Sequence, residues 1–264
     1  MVSVRKLRMT NYRLAYPWLI LSFSLCSQDL SLPPLGSLPQ ARSEQEFSDW
    51  LDLLESTDPE RTVRRADEFL VKYPRTEFAG RACQVQMLAY QQLDNYEAAV
   101  TAGRKALQLH PENLHVLATL ANVIPLGVPQ GHPGDPRLEE AAGYARQLLS
   151  SLAKQKIPRS LPLTEWKSIR LRLEVSAHAA FGLVMLQRGQ AKEAIQELKW
   201  VTQHDSAADA VHFLRLGTAY GAVGDYCSAA TAYHRAAALG PELVRKKAEA
   251  AQKSIALMTV SCGQ

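Results

Sequence analysis

The 264-residue sequence has no long hydrophobic run, no charge surplus beyond its first residues and no motif of a familiar catalytic chemistry. Its most apolar stretch, Leu14–Cys26 (LAYPWLILSFSLC), is 13 residues long, against the roughly 20 that a membrane-spanning helix needs. That length argues against a comfortable span. It suits the apolar part of a secretory signal, because Arg5, Lys6, Arg8 and Arg13 precede it and residues 1–27 contain no acid. Lysine and arginine number 30 against 26 aspartates and glutamates. Without the four leader cations the balance is 26 to 26, so the basic pI of about 8.9 belongs mostly to the leader. The electrostatic footprint of a nucleic-acid binder is therefore missing.

Catalytic signatures are lacking too. None of G-x-x-x-x-G-K-[ST], a strand-borne G-x-G-x-x-G, G-x-S-x-G or H-E-x-x-H occurs. The seven histidines are scattered, and neither a cysteine nor an acid completes a metal cage around His110 and His115. No catalytic residue, cofactor or metal is expected. Cysteine is scarce: beyond the leader only Cys83, Cys227 and Cys262 remain, too widely spaced for a disulfide framework. An exported chain still permits a Cys227–Cys262 bridge. The leader has three readings: cleavage near Cys26 or Ser27, lipidation at Cys26, or an uncleaved anchor. Leu25 is bulky where a lipidation signal usually has Gly or Ala, so export with cleavage is favoured, to the periplasm or the medium.

What the chain does have is helical period. In residues 210–243, Phe213, Leu216 and Tyr220 recur at i, i+3 and i+7 and give one buried face of a helix. Gly217 and Ala229 are small enough to let two antiparallel helices approach, and Pro241 stops the second of them. With Gly224, Tyr226, Tyr233 and Ala236, this set resembles the tetratricopeptide repeat, whose unit is about 34 residues. The resemblance implies an all-α fold, a tetratricopeptide-type α-α superhelix (solenoid) with a C-terminal capping helix.

Other units follow the same register. Tyr90, Tyr96, Ala99, Ala106 and Pro111 each lie 130 residues before Tyr220, Tyr226, Ala229, Ala236 and Pro241. His178, Phe181, Gly182, Gly189, Ala194 and Leu198 lie 35 residues before their counterparts. Repeats are expected over about 44–76, 80–113, 114–153, 175–208 and 210–243, with a cap over 244–258 and a tail over 259–264. A Pro-rich linker is expected over 28–42. The first repeat is degenerate, with Thr62 or Val63 where a small alanine belongs. In the second, Met87 replaces the small residue and Gly103 the aromatic, so looser or locally shifted packing is expected there. The third carries an irregular insert, 125–136 (PLGVPQGHPGDP), that adds eight residues before Ala141. His178 is expected to be packed between helices.

By resemblance, a groove lined by the first helix of each unit binds a peptide or partner helix. The family's groove positions project onto Arg81, Gln84, Leu88, Gln91, His115, Asn122, Leu183, Gln187, Leu214 and Thr218. Asn122 and Arg215 match positions of the family's carboxylate-gripping variant, but its lysines are absent. The chain is thus expected to be an exported, non-catalytic scaffold for a protein or peptide partner. It would meet nucleic acid nowhere and a membrane only through its leader. Phe69–Pro74, an F-L-x-x-Y-P element common in bacterial envelope repeats, points to the same setting. The rival readings are an enzyme or ligand-binding protein using His132 and Asp135 of the insert, and a homo-oligomerising module; the sequence leaves the oligomeric state open.

Overall fold

A computed structural model describes residues 39–157, 162–205 and 209–259. The expected leader, the linker up to residue 38 and the tail after Thr259 lie outside the described residues. Within them the chain is all α-helix, arranged as successive antiparallel pairs. These are α1 (Glu44–Leu54) with α2 (Pro59–Lys72), α3 (Ala79–Gln92) with α4 (Tyr96–Leu109), and α5 (Leu114–Val123) with α6 (Pro136–Lys154). Then come α7 (Leu163–Gln187) with α8 (Ala191–His204), α9 (Ala210–Ala222) with α10 (Tyr226–Leu239), and α11 (Glu242–Ile255) alone at the end.

Local chemistry sets most of the helix starts. The Ser43 hydroxyl accepts the Glu46 N–H at 3.1 Å, and the Glu46 carboxylate turns back to accept the Arg42 N–H at 2.6 Å. This is a capping box displaced one residue upstream. Asp58 caps α2 through the Arg61 N–H at 2.7 Å, with Pro59 in the first turn where no N–H is needed. Asn95, Asn113, Asp135, Asp209 and Asp225 cap α4, α5, α6, α9 and α10 in the same way. Between the helices of a pair, Gly189 and Gly224 take φ of 74° and 81°. Asp94, at the matching place in the second repeat, holds φ of 54° and is the one described non-glycine residue in that region.

Packing inside the pairs rests on one contact used three times. A Cβ on Gly217 would fall 2.6 Å from the Tyr233 ring, and one on Gly182 would fall 2.6 Å from Leu198. In the second repeat the volumes are exchanged. Met87 is fully buried, and a Cβ on Gly103 would meet its sulfur at 2.8 Å and Leu120 at 2.7 Å. The expected looseness is therefore absent: a large residue on the first helix fills the space that the missing aromatic vacates on the second. Thr62, at the degenerate position, is buried and donates its hydroxyl to the Asp58 carbonyl at 2.8 Å.

The pairs stack in two layers. Each second helix packs on the next first helix, α2 on α3 through α10 on α11. In addition α5 touches α7, α7 touches α9 and α9 touches α11, whereas no second helix approaches another as closely among the described residues. First helices crowd together on the inner side of a curved stack, so α3, α5, α7 and α9 form the inner layer. One large core runs from α3 to α7, with smaller apolar clusters at either end.

Candidate functional site

The ten projected residues all lie on inner-layer helices but have different surroundings. Leu88 and Leu183 are buried in the core, and Gln84 is buried with its amide oxygen accepting from Asn113 Nδ2 at 2.8 Å. Asn122 ties α5 to α7: its Nδ2 donates to the Ser176 carbonyl at 3.1 Å and faces the Ser176 hydroxyl at 3.0 Å. These four side chains are committed to joining repeats. His115 and Leu214 are half-buried, and Thr218 is exposed with its hydroxyl on the Leu214 carbonyl at 3.0 Å.

Gln91 and Gln187 differ from the rest. Each keeps its Oε1 out of water with no hydrogen-bond donor. An amide oxygen buried in this way forfeits about 1–3 kcal/mol of solvation until a donor reaches it. The Nε2 of Gln187 is occupied, donating to the Pro125 carbonyl at 2.8 Å. That bond fixes the root of the insert at the C-terminal end of α7. Ile124, Pro125 and Val128 are buried, while residues 129–134 are exposed.

Charge on three of these helices is one-sided, whereas α7 carries Glu165 and Glu174. α3, α5 and α9 contain no acidic residue. Burial lowers the pKa of the half-buried Arg81 guanidinium, with no carboxylate acting against it. Arg215 keeps part of its surface open, yet burial pulls its pKa down to about 10, and only Asp209 opposes. Among the described residues neither guanidinium is in an ion pair. His212, one turn before Arg215, is 3% exposed, with both ring nitrogens lacking hydrogen-bond partners. Burial, seconded by Arg215, drives its pKa down to about 4, so the ring is neutral near pH 7. Projection of family positions missed His212; the signal was available as an ionisable residue directly before the apolar repeat position Phe213.

The insert does not present a free acid–base pair. Asp135 caps α6 and takes hydrogen bonds from the Arg137 backbone N–H at 2.9 Å and guanidinium at 2.7 Å. Arg137 holds its carboxyl down at about 2. His132 is exposed, 3.2 Å from the Gln130 carbonyl. No group of three His, Cys, Asp or Glu among the described residues is placed to hold a metal ion. Of the other residues with chemistry to offer, His178 is half-buried with its Nδ1 2.5 Å from the Glu197 carboxylate and its ring against Trp200 at 4.1 Å. Cys83 is buried and free, and burial raises its pKa. Cys227 is disulfide-bonded; Cys262, with which the sequence permits a bridge, lies outside the described residues.

No family model matches the chain, and no curated protein is significantly similar to it in sequence. In structure the chain resembles several solved proteins. MamA 41-end from Desulfovibrio magneticus RS-1 aligns over 75% of this chain and 97% of its own, at 15% identity and a TM-score of 0.54. A thermophilic tetratricopeptide protein from Thermus thermophilus, TTC0263, covers 79% and 98% at 14% identity and 0.52. PilW, a widely conserved type IV pilus biogenesis factor, covers 83% and 94% at 16% identity and 0.51. At these identities the likeness establishes the fold, a tetratricopeptide-type superhelix.

Proposed function

We propose that the protein is a non-catalytic scaffold whose inner helical layer receives a peptide segment or a partner helix, and that it works outside the cytoplasm. One observation carries the reading: the acceptors of Gln91 and Gln187 are sequestered from water and left without donors on the inner layer. A polypeptide laid there brings backbone N–H groups of the kind those oxygens lack, and the side chains that cover the two oxygens must move aside to let them bond. The half-buried Leu214 supplies an apolar anchor, and the acid-free helices with Arg81 and Arg215 favour a partner that carries carboxylates. Export rests on the basic start and short apolar run of residues 1–27. PilW, a pilus biogenesis factor of similar fold, is compatible with an envelope setting.

The test is a selection of peptides from a displayed library on the full chain, followed by calorimetry of the best binder. Leu214→Glu and Gln91→Leu should retain the helical circular dichroism and weaken binding by several-fold or more, the effect of ~1 kcal/mol. Unchanged affinity in both folded variants would remove the inner layer as the site. N-terminal sequencing of the protein from its native host should start near residues 27–28; an intact Met1 on a cytosolic protein would end the export reading.

A further inference from the structure

We propose that the α11 end of the solenoid receives α1 of a second copy, so that the protein assembles head to tail. α11 is a first helix without a second. Each earlier first helix pairs with the helix that follows it, whereas α11 packs on α10 and α9. Phe213, Leu216, Gly217 and Tyr220 are the residues by which α9 holds α10. Their places, 34 residues on, are taken by Lys247, Ala250, Ala251 and Ser254. Ala250 and Ser254 are exposed and Ala251 is half-buried, so the face on which a second helix would pack is open and lined by small residues. Leu243 and Leu257 stand toward its two ends, 66% and 91% exposed. Lys247 and Lys253 flank it, exposed and in no ion pair among the described residues, whereas Lys246 is bonded to Glu242 at 2.6 Å.

The other end of the solenoid offers the complement. α1 carries Glu44, Glu46, Asp49 and Asp52 with no lysine or arginine, and Glu55 follows at its C-terminus. Glu46 and Asp49 are used within the copy, by the Arg42 N–H and by Lys72 and Tyr73. The carboxylates of Asp52 and Glu55 are not; Arg65 bonds the Asp52 carbonyl instead. Gln45, Ser48, Asp52 and Glu55 follow at i, i+3, i+7 and i+10, one exposed stripe opposite the buried Trp50 and Leu53. The chain enters α1 from the side of α3, where the Gln40 N–H donates to the Glu77 carboxylate at 2.9 Å.

Charge complementarity between the two ends selects the occupant. A cation-free helix with two unanswered carboxylates suits a slot flanked by two unanswered ammonium groups. An unrelated acidic helix would answer the lysines of α11 and leave Asp52 and Glu55 as they are; a second copy answers both ends. Beyond the leader, cations and acids balance at 26 each, so whole copies do not repel one another. The two surfaces differ, which makes the contact heterologous and lets it repeat in series. It uses none of the groove residues, and it multiplies the number of inner layers that one assembly presents.

The experiment is sedimentation velocity of the full chain over a range of protein and salt concentrations, on variants matched for helical circular dichroism. The mean mass of wild type should rise with protein concentration past that of a dimer and fall with salt. Lys247→Glu/Lys253→Glu on α11 and Asp52→Lys/Glu55→Lys at the α1 end should each weaken association by about tenfold or more, since like charges then face one another. Both pairs of changes in one chain put opposite charges back across the contact and should restore association. Leu257→Ser should weaken it too, by removing apolar surface that the contact buries. All variants retain the leader, so association through the leader would be equal in all of them. A wild-type chain that stays monomeric, or association that neither reversal weakens, overturns the proposal. So does association lost in the α11 variant and not regained in the combined one; α11 would then receive something other than α1.

Discussion

Adding a single methyl group at Gly217 should destabilise the protein, although alanine is the better helix former. On an open helix Gly→Ala gains about 1 kcal/mol. Here the new Cβ would sit 2.6 Å from both Cδ1 and Cε1 of Tyr233 and 3.1 Å from its Cγ. The obstacle is the edge of a buried ring, so the whole side chain or the whole helix must shift. Overpacking of this kind costs about 1–3 kcal/mol, which exceeds the propensity gain over most of that range. Tyr233→Gly alone should cost more, about 3–5 kcal/mol for the lost ring. The informative variant combines Gly217→Met with Tyr233→Gly, because it copies the Met87–Gly103 arrangement of the second repeat. Its cost should fall short of the sum of the two single changes by at least ~1 kcal/mol. Urea denaturation followed by helical circular dichroism gives the midpoints. Hydrogen exchange of α9 and α10 confirms that the loss is local, as expected in a fold stabilised between neighbours. A Gly217→Ala variant as stable as wild type, or strict additivity in the double variant, would refute the packing argument.

Three further outcomes follow from named contacts. His212 is neutral when folded because its pKa is lowered to about 4, so the stability it permits is complete above about pH 6.5 and drains away as pH falls toward 4. That loss is on the order of 3 kcal/mol; His212→Phe should abolish this slope in thermal melts between pH 7 and 4.5, and a retained slope would clear His212. Asp135, held at about 2 by Arg137, stabilises the fold above its ordinary carboxylate range and ceases to do so as pH drops from about 4 to 2. Asp135→Asn keeps a capping side chain and should flatten the acid limb of a pH titration of stability in that window. Gly224→Ala should cost about 1–2 kcal/mol at φ 81°, whereas Gly143→Ala, on an α6 face with open space, should raise the urea midpoint or leave it unchanged.

Much of the architecture was legible because repeat positions encode geometry directly. Pro59 and Asp58 announce the start of α2, and Gly189 and Gly224 mark the turns where φ must be positive. Compensation across a contact was harder to read. Met87 and Gly103 each look like a fault when taken alone; only their adjacency in space shows that one fills the space the other leaves. Asp94 reads as an ordinary loop residue, yet it stands in the left-handed region at the position that glycine occupies in two other repeats. The extension of α7 precedes every repeat position and carries no motif; its buried face of Trp166, Ile169 and Leu173 required the fold.

The groove shows the same division between position and state. Position in the repeat puts a side chain on the inner layer, but it does not say whether its polar atoms are already used. Gln84 and Asn122 occupy groove positions and spend their amides on Asn113 and on α7. Gln91 and Gln187 retain unmet acceptors, and both lie in the last turns of their helices, α3 and α7. First helices in a stack of hairpins run in one direction, so these two acceptors fall on the same edge of the inner layer. The buried root of the insert is bonded to that edge through Pro125 and Gln187. At earlier positions of the repeat, Leu88, Leu183, Gln84 and Asn122 are buried or bonded to neighbouring repeats. The part of the layer still able to gain from a partner is therefore the edge beside the insert, together with the half-open Leu214 and Arg215 of α9. Eight extra residues at 125–136 cost the solenoid a regular unit, and their root is bonded through Pro125 to Gln187, which holds one of the two unmet acceptors.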